Sequence, residues 1–98
     1  MRDCTQHIGL LLVDLFVPAS GSLKEKRMVL KSLQGRLQSR FNISVAQLDT
    51  DDKWQLATLG ITMIANDRRF IDQCLQSVLL FIESFAPVEI SDHQLTFL

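Results

Sequence analysis

The run HIGLLLVDLFV at residues 7–17 constrains the fold more than any other stretch of the chain. It is rich in β-branched and other apolar residues, carries one acid, Asp14, and is stopped by Pro18, so it reads as a β-strand. Alternation puts His7, Gly9, Leu11, Val13, Leu15 and Val17 on one face. Ile8, Leu10, Leu12, Asp14 and Phe16 share the other. Apolarity this continuous places the strand at the centre of a sheet, covered at least partly on both sides.

The turn Ala19-Ser20-Gly21 follows, and then Ser22-Leu23-Lys24-Glu25 matches the S-x-x-E capping box. In that motif the serine oxygen accepts from a first-turn N–H and the glutamate reaches back to the cap's own N–H. A helix over 23–40 is expected, with Leu23, Leu30, Leu33, Leu37 and Phe41 on one side and Val29 at its edge. Residues 41–49 read as a second strand, Asp49-Thr50-Asp51-Asp52 as a turn, and 54–65 as a third strand. Asn66-Asp67 can cap a second helix over 67–85, with an apolar face of Phe70, Ile71, Cys74, Leu75, Val78, Phe81, Ile82 and Phe85. Pro87 ends it. The last strand, 88–98, changes apolar parity between Ile90 and Leu95, which predicts a bulge or turn within Ser91-Asp92-His93-Gln94. The order βαββαβ is the split βαβ of ferredoxin-like α+β domains. Right-handed crossovers then put two helices on one face of a four-stranded antiparallel sheet in the order 4-1-3-2.

At 98 residues the chain is expected to form a single domain. Its two cysteines, Cys4 and Cys74, show no metal or redox spacing, and His7 and His93 have no partner at ligand spacing. That usage fits a reducing cytoplasm. The longest uncharged apolar run, Ile8 to Val13, falls far short of the roughly 20 residues a membrane span needs. Nor does the start of the chain have the pattern of a secretory signal. Cytoplasmic localisation is the expectation.

The net charge of −1 hides a partition. Residues 23–40 hold six bases against Glu25, a balance of +5, while the remainder holds four bases and ten acids, −6. On the helix, Lys24, Arg27 and Lys31 cluster within about 60°, away from the leucines, with Gln34, Gly35 and Gln38 continuing the stripe. Arg36 and Arg40 are possible flanks. Almost no acids are interspersed, so i,i+4 salt bridges do not account for the charge. Lysines early in a helix also oppose its dipole. Gly35 in mid-helix costs about 1 kcal/mol relative to Ala and can admit a phosphodiester or another backbone. An anion or nucleic-acid contact competes here with an ordinary solvated helix face and with contact to a protein partner.

Two further features are candidates. Asp49, Asp51 and Asp52 offer oxygen ligands for Mg²⁺, but lack the glycine and distal glutamate of a calcium loop, and turn-forming Asp is the commoner explanation. Trp54, beside that turn, either packs over the sheet edge or forms a platform for stacking or docking. The face opposite the helices carries Leu10, Leu12, Asp14 and Phe16 beside Thr58, Gly60, Thr62 and Ile64. That much apolar surface suggests self-association, with a homodimer as the expected form.

Related activities can be tested directly. An acylphosphatase has this length and topology but carries G-x-V-Q-G-V-x-F-R between its first strand and helix. This chain has Val17-Pro18-Ala19-Ser20-Gly21-Ser22-Leu23 instead, with neither that phosphate cradle nor its arginine. An RNA-recognition motif stacks bases on aromatics of its first and third strands. Here Leu59-Gly60-Ile61-Thr62-Met63-Ile64 has none. No nucleophile–base set or P-loop is present, so catalysis and a cofactor are not expected.

The blocks Ser22-Leu23-Lys24-Glu25-Lys26-Arg27 and Phe41-Asn42-Ile43-Ser44-Val45-Ala46 resemble the SLKEKR…FNVSVAE pattern of the bacterial YlxP-like proteins, a family of unknown function. Trp54-Gln55-x-Ala57-x-Leu59-Gly60 and Asn66-Asp67 are similar to that family's WQ-x-A-x-LG and ND blocks. The resemblance spans nearly the whole chain and implies a ferredoxin-like fold. It also implies a role around RNA or ribosomes, because the family's genes commonly neighbour those of a translation initiation factor and a ribosome-binding factor. It supplies no catalytic residues. The family's first strand usually reads V-L-R-L-E-L-H. Here Leu12 and Phe16 stand where the Arg and His would be, and Asp14 replaces the Glu. An apolar sheet face available for self-association fits that departure.

Overall fold

β1 (His7–Phe16) lies at the heart of the computed structural model, which describes residues 4–18, 21–49 and 55–98. Around it stand α1 (Leu23–Arg40), β2 (Ser44–Gln47), β3 (Leu56–Ala65), α2 (Arg68–Glu83) and β4 (Glu89–Phe97). The sheet order is β2-β3-β1-β4 and every pairing is antiparallel, which is the expected ferredoxin-like topology. β1 pairs with β3 from His7↔Ala65 to Phe16↔Leu56, and with β4 on its other edge from Gly9↔Phe97. Pairing on both edges makes it a central strand, as its sequence predicts.

The helices cover one face only. Leu11, Val13, Leu15 and Val17 meet Leu59, Ile61, Leu30, Leu33, Leu37, Ile71, Leu75, Val78 and Ile82 in one core, all at 0–1% exposure. Each such side chain contributes about 1.5–3 kcal/mol by leaving water. α2 packs tightly on the sheet at Gly9, whose missing Cβ leaves room for Ile71 and Leu75. On α2 itself Leu79 is buried, whereas Phe70 points outward at 48% exposure. Cys74 packs at the core's edge.

The caps follow the sequence with one shift. Ser22 Oγ accepts from the Glu25 N–H at 3.2 Å, while Glu25 Oε2 accepts from the Gly21 N–H at 3.1 Å, one residue ahead of the cap. Asp67 caps α2 by accepting from the Arg69 N–H at 3.0 Å. β2 is shorter than the expected 41–49. Phe41 still closes α1, donating its N–H to the Leu37 carbonyl, and Asp49 turns inward to an ion pair. The parity change in β4 is resolved at Ser91: Asp14 pairs with Asp92 but Leu15 with Ile90. That extra residue returns Ile90, Leu95 and Phe97 to the core side.

Candidate nucleic-acid interface

α1 divides its basic residues into three environments. At about 100° per residue, Lys26 falls among Leu30, Leu33 and Leu37, and it is buried with them at 2% exposure. Its Nζ donates to Asp49 Oδ2 at 3.0 Å, an ion pair between α1 and the segment just after β2. Asp49 Oδ1 also accepts from the Thr58 N–H at 3.1 Å. Burial pushes the Asp49 carboxyl up, but the Thr58 N–H, hydrogen bonds from Lys26 and Gln47, and the Lys26 charge outweigh it. The carboxyl is therefore held below its ordinary value. Asp49 is thus a structural partner for Lys26, while Asp51, Asp52 and Trp54 lie outside the described residues.

Arg36 and Arg40 face α2. The Arg36 guanidinium lies 5.7 Å from the Phe85 ring centroid and that of Arg40 lies 5.0 Å from Phe81. Phe81 in turn packs edge-on against Phe41. Such cation–π contacts contribute about 0.5–1 kcal/mol each at exposed sites, so Arg40 ties α1 to α2 and Arg36 ties it to the turn after α2. Both stay exposed, to one side of the outer stripe.

Lys24, Arg27 and Lys31 are what remains, and all three are exposed on one side of α1. Among the described residues no hydrogen bond or ion pair engages any of them. Gln38 and Gly35 are exposed on the same stripe, and Gln34 is half-buried.

The opposite side of the molecule is the open sheet face. Leu10, Leu12 and Phe16 are half-buried there, with Leu48, Leu56 and Ile64 at 49%, 45% and 63% exposure. Leu48 lies over Gly60. Asp14 is exposed and accepts from Thr58 Oγ1 at 2.8 Å, while Ser91 Oγ donates to the Asp14 carbonyl at 3.2 Å. A shallow depression of about 240 Å³ ends this face, lined by Asp14, Asp49, Leu56, Thr58 and Ser91. Its polar groups bond one another. Among the described residues no three His, Cys, Asp or Glu side chains converge as metal ligands. No helix among them is long and apolar enough to cross a membrane.

Residues 8–95 match the model of a family described as a protein of unknown function, DUF503. The chain belongs to that family. It is 39% identical over 82 residues to the uncharacterized protein YlxP of Bacillus subtilis strain 168, a match covering 84% of this chain and 89% of that one. Among solved structures, the de novo designed protein Foldit4 aligns over 92% of this chain and 96% of its own, with TM-score 0.55 and 11% identity. A designed protein with a ferredoxin fold aligns over 94% and 82% at TM-score 0.47 and 10% identity.

Much of what this DUF503 chain shares with the YlxP-like pattern has a structural reason. In Ser22–Arg27, Ser22 and Glu25 form the cap, Leu23 is half-buried and Lys26 makes the ion pair. Ala57 and Leu59 fill the core, Gly60 makes room for Leu48, and Asp67 caps α2. Lys24 and Arg27 have no such internal task among the described residues.

Proposed function

We propose that this protein is a non-catalytic cytoplasmic binding module that contacts RNA, free or within the ribosome, through Lys24, Arg27 and Lys31 of α1. One observation carries the reading: three exposed cations share one stripe, with no internal partner among the described residues. Cations aligned on a rigid helix suit a phosphate backbone, whose condensed counterions are released on contact. Filter binding to a structured RNA at low salt tests it. Lys24→Glu/Lys31→Glu is expected to weaken binding at least tenfold without lowering the melting temperature, because both side chains are exposed. An unchanged affinity contradicts the reading.

The exposure of Ile64, Leu56 and Leu48 favours a second reading, a homodimer formed through the open sheet face with Leu10, Leu12 and Phe16. Light scattering of the wild type is then expected to give twice the chain mass. Ile64→Arg, at a site exposed enough to tolerate the charge, is expected to return it to one chain. A monomeric wild type rules this reading out.

A further inference from the structure

We infer that the RNA recognised by α1 is double-stranded, gripped across its minor groove, with Gln34 and Gln38 reading the 2′-hydroxyls. This rests on the phosphate-binding role proposed for Lys24, Arg27 and Lys31 and specifies the ligand of that same face.

The stripe has two chemically distinct halves. Its N-terminal half holds the three cations, and its C-terminal half holds Gln34, Gly35 and Gln38, with no charge on the stripe. From Lys24 to Gln38 it runs for about 21 Å along a straight helix. Phosphates need only the cations. The amides add a group that both donates and accepts, which is what a 2′-hydroxyl also does. In A-form RNA those hydroxyls line a wide, shallow minor groove between two phosphate ridges, open to a helix surface. Neither glutamine amide is engaged among the described residues, so both can turn toward a ligand.

Gly35 fits the same geometry. A Cβ built there meets nothing within 4 Å, so no contact within the protein requires glycine. Between Gln34 and Gln38, its bare backbone allows the closest approach of a sugar edge. Unpaired bases are a poor match. They bind by stacking on flat side chains, and α1 contains no aromatic residue. The rings near its C-terminal end, Phe41, Phe81 and Phe85, are engaged with one another or beneath Arg36 and Arg40.

Fluorescence anisotropy at one low salt concentration, with the full chain, tests the inference. The probes are a labelled RNA duplex, a DNA duplex of the same sequence and an unpaired RNA of equal length. The RNA duplex is expected to bind about tenfold more tightly than either of the others, as two added hydrogen bonds would give. Gln34→Ala/Gln38→Ala is expected to abolish the difference between RNA and DNA duplexes while leaving DNA affinity unchanged. Gly35→Ala is expected to weaken RNA-duplex binding several-fold while raising the melting temperature by about 4 °C. Equal affinity for the two duplexes, tighter binding of the unpaired strand, or an unaffected glutamine variant overturns the inference. If binding in those cases is still lost in Lys24→Glu/Lys31→Glu, the parent reading survives. No binding of any probe ends both.

Discussion

Lys26→Ala is expected to lower the unfolding free energy by about 3 kcal/mol at neutral pH, measured by urea denaturation. The loss comes mainly from what is left behind. With the ammonium gone, Asp49 keeps the Thr58 N–H but loses the charge that compensates its burial, its side chain being 12% exposed. Removing both partners, as in Lys26→Met/Asp49→Ala, is expected to cost much less than the two single changes added together. The pair also sets an acid limit. Because the Asp49 carboxyl is held below its ordinary value in the fold, it adds stability above the unfolded value of about 3.9. That contribution drains away as pH falls below about 4 toward the lower folded value. Stability measured from pH 7 down to pH 2 should therefore fall less steeply in Lys26→Ala than in the wild type.

Gly9→Ala is the second large effect, expected to cost about 1–3 kcal/mol through overpacking. The new Cβ would stand 2.5 Å from Ile71 Cγ2 and 3.0 Å from Leu75 Cδ1. Ile71 Cγ2 is a branch methyl fixed close to the α2 backbone, so the helix itself must lift from β1. For a chain of this length each kcal/mol shifts the melting temperature by about 4–8 °C. Gly60→Ala is the internal control. Its Cβ would meet Leu48 Cδ1 at 2.7 Å, but Leu48 is half-exposed and its end can swing aside. A melting temperature lowered as far in Gly60→Ala as in Gly9→Ala contradicts this account of α2 docking.

The fold was legible because each element announces its own period. The apolar run of β1, the Ser22–Glu25 cap and the Asp67 cap are local signals, and the βαββαβ order with right-handed crossovers leaves little topological freedom. Even the bulge at Ser91 shows as a parity break. What a linear reading blurs is how one helix's charges are shared out. Lys26 adds to the +5 of the segment, yet it is neutralised in the core by a residue 23 positions away. The signal was present, since the helical wheel puts Lys26 among leucines, and a lysine on an apolar face needs a partner. Arg36 and Arg40 lie about 120° and 160° round the wheel from Lys24, but only the packing of α2 brings Phe85 and Phe81 beneath them. The outer stripe accordingly carries three of the helix's six basic residues.

That reduction gives the central claim a number. Three phosphate contacts predict that the logarithm of the RNA association constant falls with the logarithm of salt concentration at a slope of about −2.7 for a duplex. Removing two of them in Lys24→Glu/Lys31→Glu should bring the slope to about −1 or shallower. The decisive measurement is this salt titration of wild type and variant side by side. A variant slope as steep as that of the wild type would contradict RNA binding through the outer face of α1.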